Sequence, residues 1–474
     1  MSPVHLRRRE LGLLFIVFLI VALGLLNVDI AVKGVVQKLT IEILLVFIAT
    51  SLTAHVAIRW RAEWADPLLL PLSALLTGVG IAMIHRLDLA DELRAVSRHE
   101  PIPVAKAGAQ VTWFVVGAAL MVVTIVFIRD HRRLQRYPWT LTMVGLLLVL
   151  APLAPGIGRT IRGATLWVNI AGLSFQPAEI AKVVLTIGFA AYLARHGKTL
   201  SALRSKVLGI PFPRPRDLGP LLVVWALSLS VLILQRDLGT SLLFFGIFVV
   251  LLYVATEQRS WPLIGFALFA SGAGLAWSMF SHVQIRVALW INPFIGDGTS
   301  QVALGLYGLA NGGLFGAGLG GGYPQLVPFA ESDFIFASIG EELGLVGSVA
   351  LLLLYATLMA RGLKVATRVR DRFGLLLAVG VTTALTLQTF VVLGGVSRLI
   401  PLTGLTTPFL SSGGSSLVAN FIMIGLLLRM SHAAGKPMPT PAATAFAEIA
   451  APRFDTAQET QVIQMGIGDG GMRS

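Results

Sequence analysis

Long apolar blocks separated by short polar connections dominate the sequence. Most are close to the roughly 20 residues that an α-helix needs to cross the hydrocarbon core of a bilayer. The pattern therefore predicts an all-α integral membrane protein, a polytopic bundle of about 12 transmembrane helices. The predicted spans lie approximately at 11–28, 40–58, 67–84, 110–128, 138–155, 177–194, 219–235, 238–255, 262–280, 335–360, 374–395 and 411–430.

Composition excludes several other classes of protein. The chain has 474 residues, of which 55% are hydrophobic and 13% charged, whereas soluble domains are about 25% charged. A soluble enzyme, a secreted disulfide scaffold and a disordered chain are therefore excluded. The sequence contains no cysteine, which excludes disulfides, thiolate catalysis and cysteine-ligated metal sites.

The net charge of +13 indicates orientation in a membrane, not nucleic-acid binding. With the N-terminus in the cytoplasm, 25 of the 37 basic residues fall in predicted inner segments and 11 in predicted outer ones, and Lys182 lies inside a span. The sequence therefore predicts a multi-pass plasma-membrane protein with both termini cytoplasmic. The basic, proline-containing inner loop at 196–217 suits the anionic inner leaflet, so membrane lipids are expected partners.

The chain divides into three predicted parts. Residues 1–109 hold three N-terminal spans, residues 110–430 form the membrane core, and residues 431–474 are a small, polar tail that we expect to be disordered in the cytoplasm. The longest connection, 281–334, is predicted to be a large extracytoplasmic loop. Long loops in compact folds are usually functional.

Asp333 is the most informative residue of the outer loop. It stands at the mouth of a span and is followed directly by Phe334, Ile335 and Phe336. A carboxylate that loses hydration at an apolar edge becomes a better general base, and ionisable residues at membrane depth are functional candidates. The alternative is that Asp333 simply caps a helix.

Two further sets of residues have both a structural and a functional interpretation. Glu179 and Lys182 share one helix face, either as a structural ion pair or as a charged wall of a substrate cavity. The Ser411–Ser416 run forms either a backbone anion-binding nest or ordinary turn chemistry before a helix. Asp237, in a short outer turn beside Arg236, is predicted to be a cap with a local ion pair.

Glycine is dense between Gly305 and Gly322. A formal G-x-G-x-x-G occurs at Gly316, Gly318 and Gly321, but no preceding βαβ strand supports a dinucleotide site. The run predicts close packing or flexible backbone, with a backbone-lined groove that a ligand approaches closely as the functional alternative.

Five motifs occur in an order and spacing similar to those of the SEDS (shape, elongation, division, sporulation) proteins, the family of RodA, FtsW and SpoVE. The resemblance covers about residues 110–430 and is strongest to the RodA branch of high-GC Gram-positive bacteria, which carries extra N-terminal membrane segments. Two of the three N-terminal spans would then be additions to the family core. The motifs are FQPAEIAK at 175–182, QRDLGT at 235–240, SDFIF at 332–336, EELGLVG at 341–347 and SSGGS at 411–415.

The resemblance implies a peptidoglycan glycosyltransferase that polymerises glycan strands from lipid II at the outer face of the membrane, in cell-wall elongation and cell-shape maintenance. It also implies a class B penicillin-binding protein, a transpeptidase, as partner. The family's essential aspartate matches Asp333, its loop tryptophan matches Trp167, and its Glu/Lys pair matches Glu179 and Lys182. The remaining candidates for substrate binding or support are Arg286, Glu331, Ser411, Gly413, Gly414 and Ser415.

Polymerisation of lipid II has requirements that the sequence meets in part. A sugar hydroxyl needs a base, and the departing pyrophosphate needs positive charge. Because outer cations are few, a divalent cation, Mg²⁺ or Mn²⁺, could share that role, although no acidic cluster with metal-ligand spacing is visible. The alternatives are a lipid II flippase or other transporter, a division-specific FtsW-like polymerase, and a non-catalytic scaffold.

Overall fold

The computed structural model describes residues 2–161, 164–170, 173–201, 205–207, 210–212, 218–295 and 298–437. Residues as far as Gly435 form one compact unit. The helices are α1 (Pro3–Lys33), α2 (Lys38–Arg61), α3 (Leu69–Arg98), α4 (Lys106–Phe127), α5 (Pro138–Leu150), α6 (Pro177–Ser201), α7 (Gly219–Gln235), α8 (Leu238–Thr256), α9 (Ser260–Met279), α10 (Ser281–Ile291), α11 (Gln301–Gly312), α12 (Ile335–Arg368), α13 (Arg372–Val396) and α14 (Gly414–Gly435).

The helical membrane architecture is confirmed. Among the described residues, ten helices are long and apolar enough to cross a membrane. The other two predicted spans, at 138–155 and 219–235, form the shorter apolar helices Pro138–Leu153 and Gly219–Gln235, so the number twelve stays a prediction. Helix α14 continues to Gly435 and includes the start of the predicted tail, whereas residues 438–474 lie outside the described part.

Small antiparallel sheets interrupt the expected all-α pattern in two connections. Strands β1 (Gly158–Ile161), β2 (Ala164–Ile170) and β3 (Leu173–Phe175) pair in that order before α6, and β4 (Ser205–Val207) pairs with β5 (Ile210–Phe212) after it. β2 is rich in β-branched and aromatic residues, which favour strands. The connection at 281–334 is also more ordered than a loop, because it contains α10, α11 and a 3₁₀ turn at Pro324–Leu326.

Helices α3, α6, α13 and α14 form the interior of the bundle. The apolar window of α3 is 89% buried, compared with 17% for that of α9 and 28% for that of α1. The peripheral helices therefore present apolar faces to the bilayer, as a lipid-exposed position requires.

Hydrogen bonds and ion pairs outside the spans fix the ends of the helices. At the start of α13, Asp371 accepts hydrogen bonds from His131 Nε2 (2.9 Å) and the Gly374 backbone N–H (2.8 Å). Burial raises the pKa of Asp371, but these bonds outweigh it and hold that pKa well below its usual range.

Helix α12 is broken at Gly344, whose φ of 66° and ψ of −165° are open only to glycine. The segment Gly313–Gly322, which we call the strap, packs against the break, and its first half fills it. Backbone N–H groups of Ala317 and Gly318 donate to the carbonyls of Glu341 and Glu342, at 3.0 and 2.9 Å. In return, the N–H groups of Leu345 and Val346 donate to the carbonyls of Gly313 and Leu314, at 3.0 and 3.1 Å. The strap thus satisfies backbone groups that the break removes from the helix ladder.

We expect Gly344→Ala to destabilise the protein by about 3 kcal/mol or more, because it combines a glycine-only backbone conformation with a clash. A Cβ at this position would lie 2.3 Å from the backbone nitrogen of Gly316. Thermal unfolding of the detergent-solubilised protein measures the effect. Gly108→Ala in α4 is the matched control, because its Cβ would meet nothing within 4 Å. Equal melting temperatures for the two variants would contradict the strained break.

Candidate functional site

Asp333 lies on a tight turn that leads into α12. The turn is closed by backbone hydrogen bonds from Ser332 and Phe334 to the carbonyl of Phe329, at 3.0 and 3.1 Å. The N-cap position of α12 is Phe334, and no side chain caps the helix there. Asp333 is therefore not the N-cap residue of α12, and its side chain is half-buried.

The turn is fastened from the segment before α14. Ser411 Oγ donates to the Ser332 carbonyl (2.6 Å) and accepts from the Thr407 N–H (2.8 Å). The Ser412 N–H donates to the carbonyl of Glu331 at 2.8 Å, and Lys106 Nζ lies 2.6 Å from Glu331 Oε1. Ser411 and Glu331 thus lie beside Asp333, and both hold its turn.

Arg286, from α10, contacts the same segment before α14 that fastens the Asp333 turn. Its Nη1 donates to the carbonyls of Leu402 and Thr403, at 3.1 and 2.8 Å. A Cβ on Gly404 would lie 3.7 Å from Arg286 Nη2 and 3.9 Å from Asp333 Oδ2. The guanidinium and the carboxylate therefore both border Gly404. Burial lowers the pKa of Arg286, while the charges of Asp237 and Asp333 act in the opposite direction.

Asp237 is a second carboxylate whose charge acts on Arg286. It caps α8, accepting from the backbone N–H and the hydroxyl of Thr240 at 2.9 and 2.6 Å, so the predicted cap is confirmed. Burial raises the pKa of Asp237, opposed by these hydrogen bonds and by the charge of Arg286. The sequence had indicated Arg236 as its local partner. The cation that acts on this carboxylate comes instead from α10, far along the chain.

An apolar cavity of about 260 Å³ begins beside Arg286 and lies between α7, α8, α9 and α10. Aromatic and aliphatic side chains form its walls, and Arg286 and Thr403 are among its few polar contacts. A hydrocarbon chain suits such walls, since apolar contact is favourable along its whole length. Arg286 thus contributes a cation to an apolar space whose walls suit a hydrocarbon chain.

Lys182 and Glu179 form the predicted ion pair, at 2.7 Å, with side-chain exposures of 1% and 7%. Lys182 Nζ also donates to Gln388 Oε1 (2.6 Å) and Asn420 Oδ1 (3.3 Å). A buried ammonium needs this many partners because isolated charge in an apolar interior is very costly. The pair therefore holds α6, α13 and α14 together.

The same cluster reaches the turn of Asp333. Gln388 Nε2 donates to the carbonyl of Thr406 at 2.9 Å. Thr406 belongs to the segment that holds Arg286 through Thr403 and the Asp333 turn through Ser411. The structural and functional interpretations of the ion pair are therefore linked, because the pair supports the segment on which the site is built.

The Ser411–Ser416 run serves packing more than ligand binding. The N–H groups of Ser411, Ser412 and Gly413 already donate to the Thr407 and Glu331 carbonyls and to Gln110 Oε1. A Cβ on Gly414 would lie 2.3 Å from the ring of Trp113, so only glycine fits there. Ser415 Oγ accepts from the Gln176 N–H at 2.9 Å, which joins α14 to the start of α6. These contacts favour the turn-and-packing interpretation over an open anion-binding nest.

Trp167 lies in β2, opposite Arg159 of β1, and is half-buried. Contacts from β2 to α6 and α7 keep the sheet at the ends of those helices. The structure thus places Trp167 on a small platform that the sequence did not predict.

In the described part of the chain, no three His, Cys, Asp or Glu side chains form a metal-binding group. Mg²⁺ is often held by one or two carboxylates together with substrate phosphates. Asp333 could supply one such ligand. The described side chains therefore do not build a metal site by themselves.

Sequence reasoning missed Gln388, Asn420, Gln110 and Lys106, which connect the predicted residues. The signal was present for Gln388 and Asn420, because amide side chains in the middle of apolar spans are rare and usually bonded. Their partners, however, lie more than 200 positions away.

The fold and the site define a polytopic membrane protein with a carboxylate, a guanidinium and an apolar cavity gathered at one end of its helix bundle. Comparison with known families gives the next step. The profile of the cell cycle proteins FtsW, RodA and SpoVE matches residues 66–436, and the chain belongs to this family. Helices α1 and α2 precede the matched region.

Several relatives are curated proteins. The peptidoglycan glycosyltransferase RodA of Mycobacterium tuberculosis is 46% identical over 399 residues, which is 84% of each chain. The RodA of Mycobacterium leprae is 45% identical over 83% of each chain. Stage V sporulation protein E of Bacillus subtilis is 31% identical over 66% of this chain and 85% of its own.

Solved structures agree with these relatives. A chain of a peptidoglycan synthase complex, described as coordinating polymerization and crosslinking, superposes with a TM-score of 0.60 at 27% identity, covering 77% of this chain and 97% of that one. The rod shape determining protein RodA of Thermus thermophilus superposes with a TM-score of 0.53 at 26% identity, over 77% and 96%.

We expect the Glu179–Lys182 pair to be strongly coupled. Lys182→Met leaves a buried carboxylate uncompensated and should cost about 3–5 kcal/mol, and Glu179→Gln should cost a similar amount. The double variant should cost less than the sum by about 1–3 kcal/mol in a thermal or denaturant double-mutant cycle. The exposed Lys38–Glu42 pair, at 3.6 Å, is the matched control and should couple by less than about 0.5 kcal/mol. Additive effects at 179 and 182 would exclude the coupling.

Proposed function

We propose that this protein is a peptidoglycan glycosyltransferase that polymerises glycan strands from lipid II at the outer face of the membrane, in cell-wall elongation and cell-shape maintenance. One observation carries the proposal. Asp333 and Arg286 border Gly404, and Arg286 also lines an apolar cavity. This is the arrangement that a base, a pyrophosphate and a lipid tail require together. The 46% identity to mycobacterial RodA over most of both chains gives that chemistry its substrate class.

In the proposed reaction, the 4-hydroxyl of one sugar attacks the anomeric carbon of another, which carries a lipid pyrophosphate. The new bond is the glycosidic C–O bond, and the bond that breaks joins the anomeric carbon to the pyrophosphate oxygen. The Asp333 carboxylate accepts the hydroxyl proton. General-base assistance of this kind typically contributes 10²–10⁴-fold.

Arg286 complements this role electrostatically. The leaving pyrophosphate gains negative charge as the bond breaks, and a fixed, partly buried guanidinium stabilises that charge most effectively where water is excluded. The hydrogen bonds from Arg286 to Leu402 and Thr403 hold the group in place before the substrate arrives. Its second nitrogen, Nη2, faces Gly404 and the site. If a divalent ion takes part, Asp333 is the side chain that would hold it, with phosphate oxygens completing its coordination.

The polyprenyl tail of the donor would occupy the cavity between α7, α8, α9 and α10, with its pyrophosphate beside Arg286. This placement would explain why the membrane-embedded bundle carries the Asp333 carboxylate and the Arg286 guanidinium close together. Trp167, on its strand platform, is a candidate contact for the sugars or the peptide stem, since aromatic side chains provide flat apolar surfaces at such sites.

Two observations separate this function from its alternatives. In the described residues, the candidate polar groups for substrate gather at one end of the bundle, whereas an alternating-access transporter places its site near the bilayer midplane. Identity is higher to RodA (46%) than to stage V sporulation protein E (31%) or to the FtsW of Geobacter metallireducens (30%), which supports elongation over division. The same end is predicted to be extracytoplasmic, with both termini in the cytoplasm.

A class B penicillin-binding protein is the proposed partner. Uncrosslinked strands give a wall no mechanical strength, and the structural relative belongs to a synthase complex that couples polymerization to crosslinking. The outer connections must remain open to the growing strand. We therefore expect the partner to contact a lateral helix face together with the outer connections.

We expect Asp333→Asn to lower glycan polymerisation by at least about 10²-fold, because the amide keeps the size of the side chain and removes its basicity. Purified protein and lipid II, followed by gel analysis of the polymer, measure the rate. Glu100→Gln, an exposed acid between α3 and α4, is the matched control and should retain activity. Normal turnover by a folded Asp333→Asn protein would refute the assignment.

Co-purification with the class B transpeptidase should raise the polymerisation rate, and photo-crosslinkers on the outer connections should trap it. The experiment compares the polymer formed by the protein alone with that formed by the pair. Crosslinkers in the basic segment at 196–217 serve as the control and should trap little. Capture only from that segment would place the partner on the opposite face from the one proposed.

A further inference from the structure

The motif EELGLVG at 341–347 has no role in the proposed reaction, although it marks the broken part of α12. Its two acidic side chains are almost fully buried, at 2% for Glu341 and 1% for Glu342. Glu341 is engaged by the connection between α11 and α12, and Glu342 by helix α3. Glu341 Oε1 accepts from the Tyr323 N–H at 2.8 Å, and Glu342 Oε1 accepts from Arg86 Nε at 2.7 Å.

Arg86, from α3, is the group that closes this arrangement. Besides the ion pair with Glu342, its Nη2 donates to the carbonyl of Gly322 at 2.8 Å. The side chain is 4% exposed, and its planar guanidinium holds an acid of α12 and a carbonyl of the connection simultaneously. It thus fixes the end of the strap against the helix that the strap completes.

Local hydrogen bonds restrain the chain from Gly322 to Asp333 along most of its length. It runs through a 3₁₀ turn at Pro324–Leu326 and then through successive tight turns, with hydrogen bonds from Ala330 to Val327 and from Phe334 to Phe329. A displacement at Gly322 is therefore transmitted to the Asp333 turn more readily than through a flexible loop. A small displacement of a catalytic group strongly lowers the reaction rate.

We propose that Arg86 is a positioning residue for the polymerase reaction, which anchors the strap to α12 and so sets the place of Asp333. The inference rests on the proposed function for its kinetic part only. Arg86 touches neither the reacting groups nor the apolar cavity beside Arg286, so its removal should act on the turnover number and leave the affinity for lipid II nearly unchanged.

The test compares Arg86→Gln with Glu92→Gln. Glu92 lies on the same helix and pairs with Lys33 at 2.7 Å, away from the strap, so the control removes one charge of α3 without releasing the connection. We expect Arg86→Gln to lower kcat about 10- to 100-fold with KM for lipid II changed less than about threefold. Glu92→Gln should stay near the parent in both constants.

A spectroscopic measurement reports the anchoring without any substrate. Since the chain contains no cysteine, spin labels can be placed only where cysteines are introduced, at the exposed positions Tyr323 and Leu353. The distance distribution between them should broaden in Arg86→Gln and stay unchanged in Glu92→Gln. This measurement still reports the strap if the protein proves not to polymerise lipid II, so the two proposals fail separately.

Rescue distinguishes positioning from a general loss of stability. Arg86→Gln combined with Glu342→Gln removes both buried charges and leaves two amides that can hydrogen-bond, so it should narrow the distance distribution and recover part of kcat. If Arg86→Gln does not fold, this double variant and Arg86→Lys take its place in the comparison. An unchanged distance distribution, or a broadened one with the kcat of the parent, would overturn the proposal.

Discussion

The positive charge of Lys182 must be compensated inside the bundle, and the contacts that compensate it also position much of the site. Its ammonium, 1% exposed, bonds Glu179 on its own helix and the amides of Gln388 and Asn420 on two others. An ammonium buried this deeply depends on such protein partners, because an unpaired buried charge is very costly. Because Gln388 also holds the Thr406 carbonyl, the charge that fixes three helices also fixes the segment that supports the Asp333 turn and Arg286.

The need to bond every buried polar group also explains why a distant segment fills the break in α12. A helix that crosses a bilayer keeps its backbone groups bonded, and Gly344 interrupts that ladder. The strap restores the bonds from a distant part of the chain, and the buried pair between Arg86 and Glu342 closes the connection. Irregular backbone at membrane depth is tolerated where it packs against protein, and here it gives a long external connection a fixed path.

The function depends on the charged groups that lie beside the apolar cavity. The described part of the bundle has an apolar cavity lined in part by Arg286, and the charges of Asp237 and Asp333 both act on this guanidinium. A lipid-linked pyrophosphate sugar meets all of these features at once: its tail is apolar, its leaving group is anionic, and its acceptor hydroxyl needs a base. The family relationship and the geometry therefore point to the same chemistry by independent routes.

The sequence by itself determined the membrane architecture, because apolar periodicity and length are local properties of the chain. It also identified Asp333 and the Glu179–Lys182 pair, since charge beside or within an apolar span is visible without a fold. The tertiary structure decided what these residues contact. The charges of Asp237 and Asp333 act on Arg286, Ser411 holds the Asp333 turn, and Arg86 reaches Glu342, across 256 positions in the last case. Such partners depend on which helix ends meet in space, and a linear pattern carries no information about that.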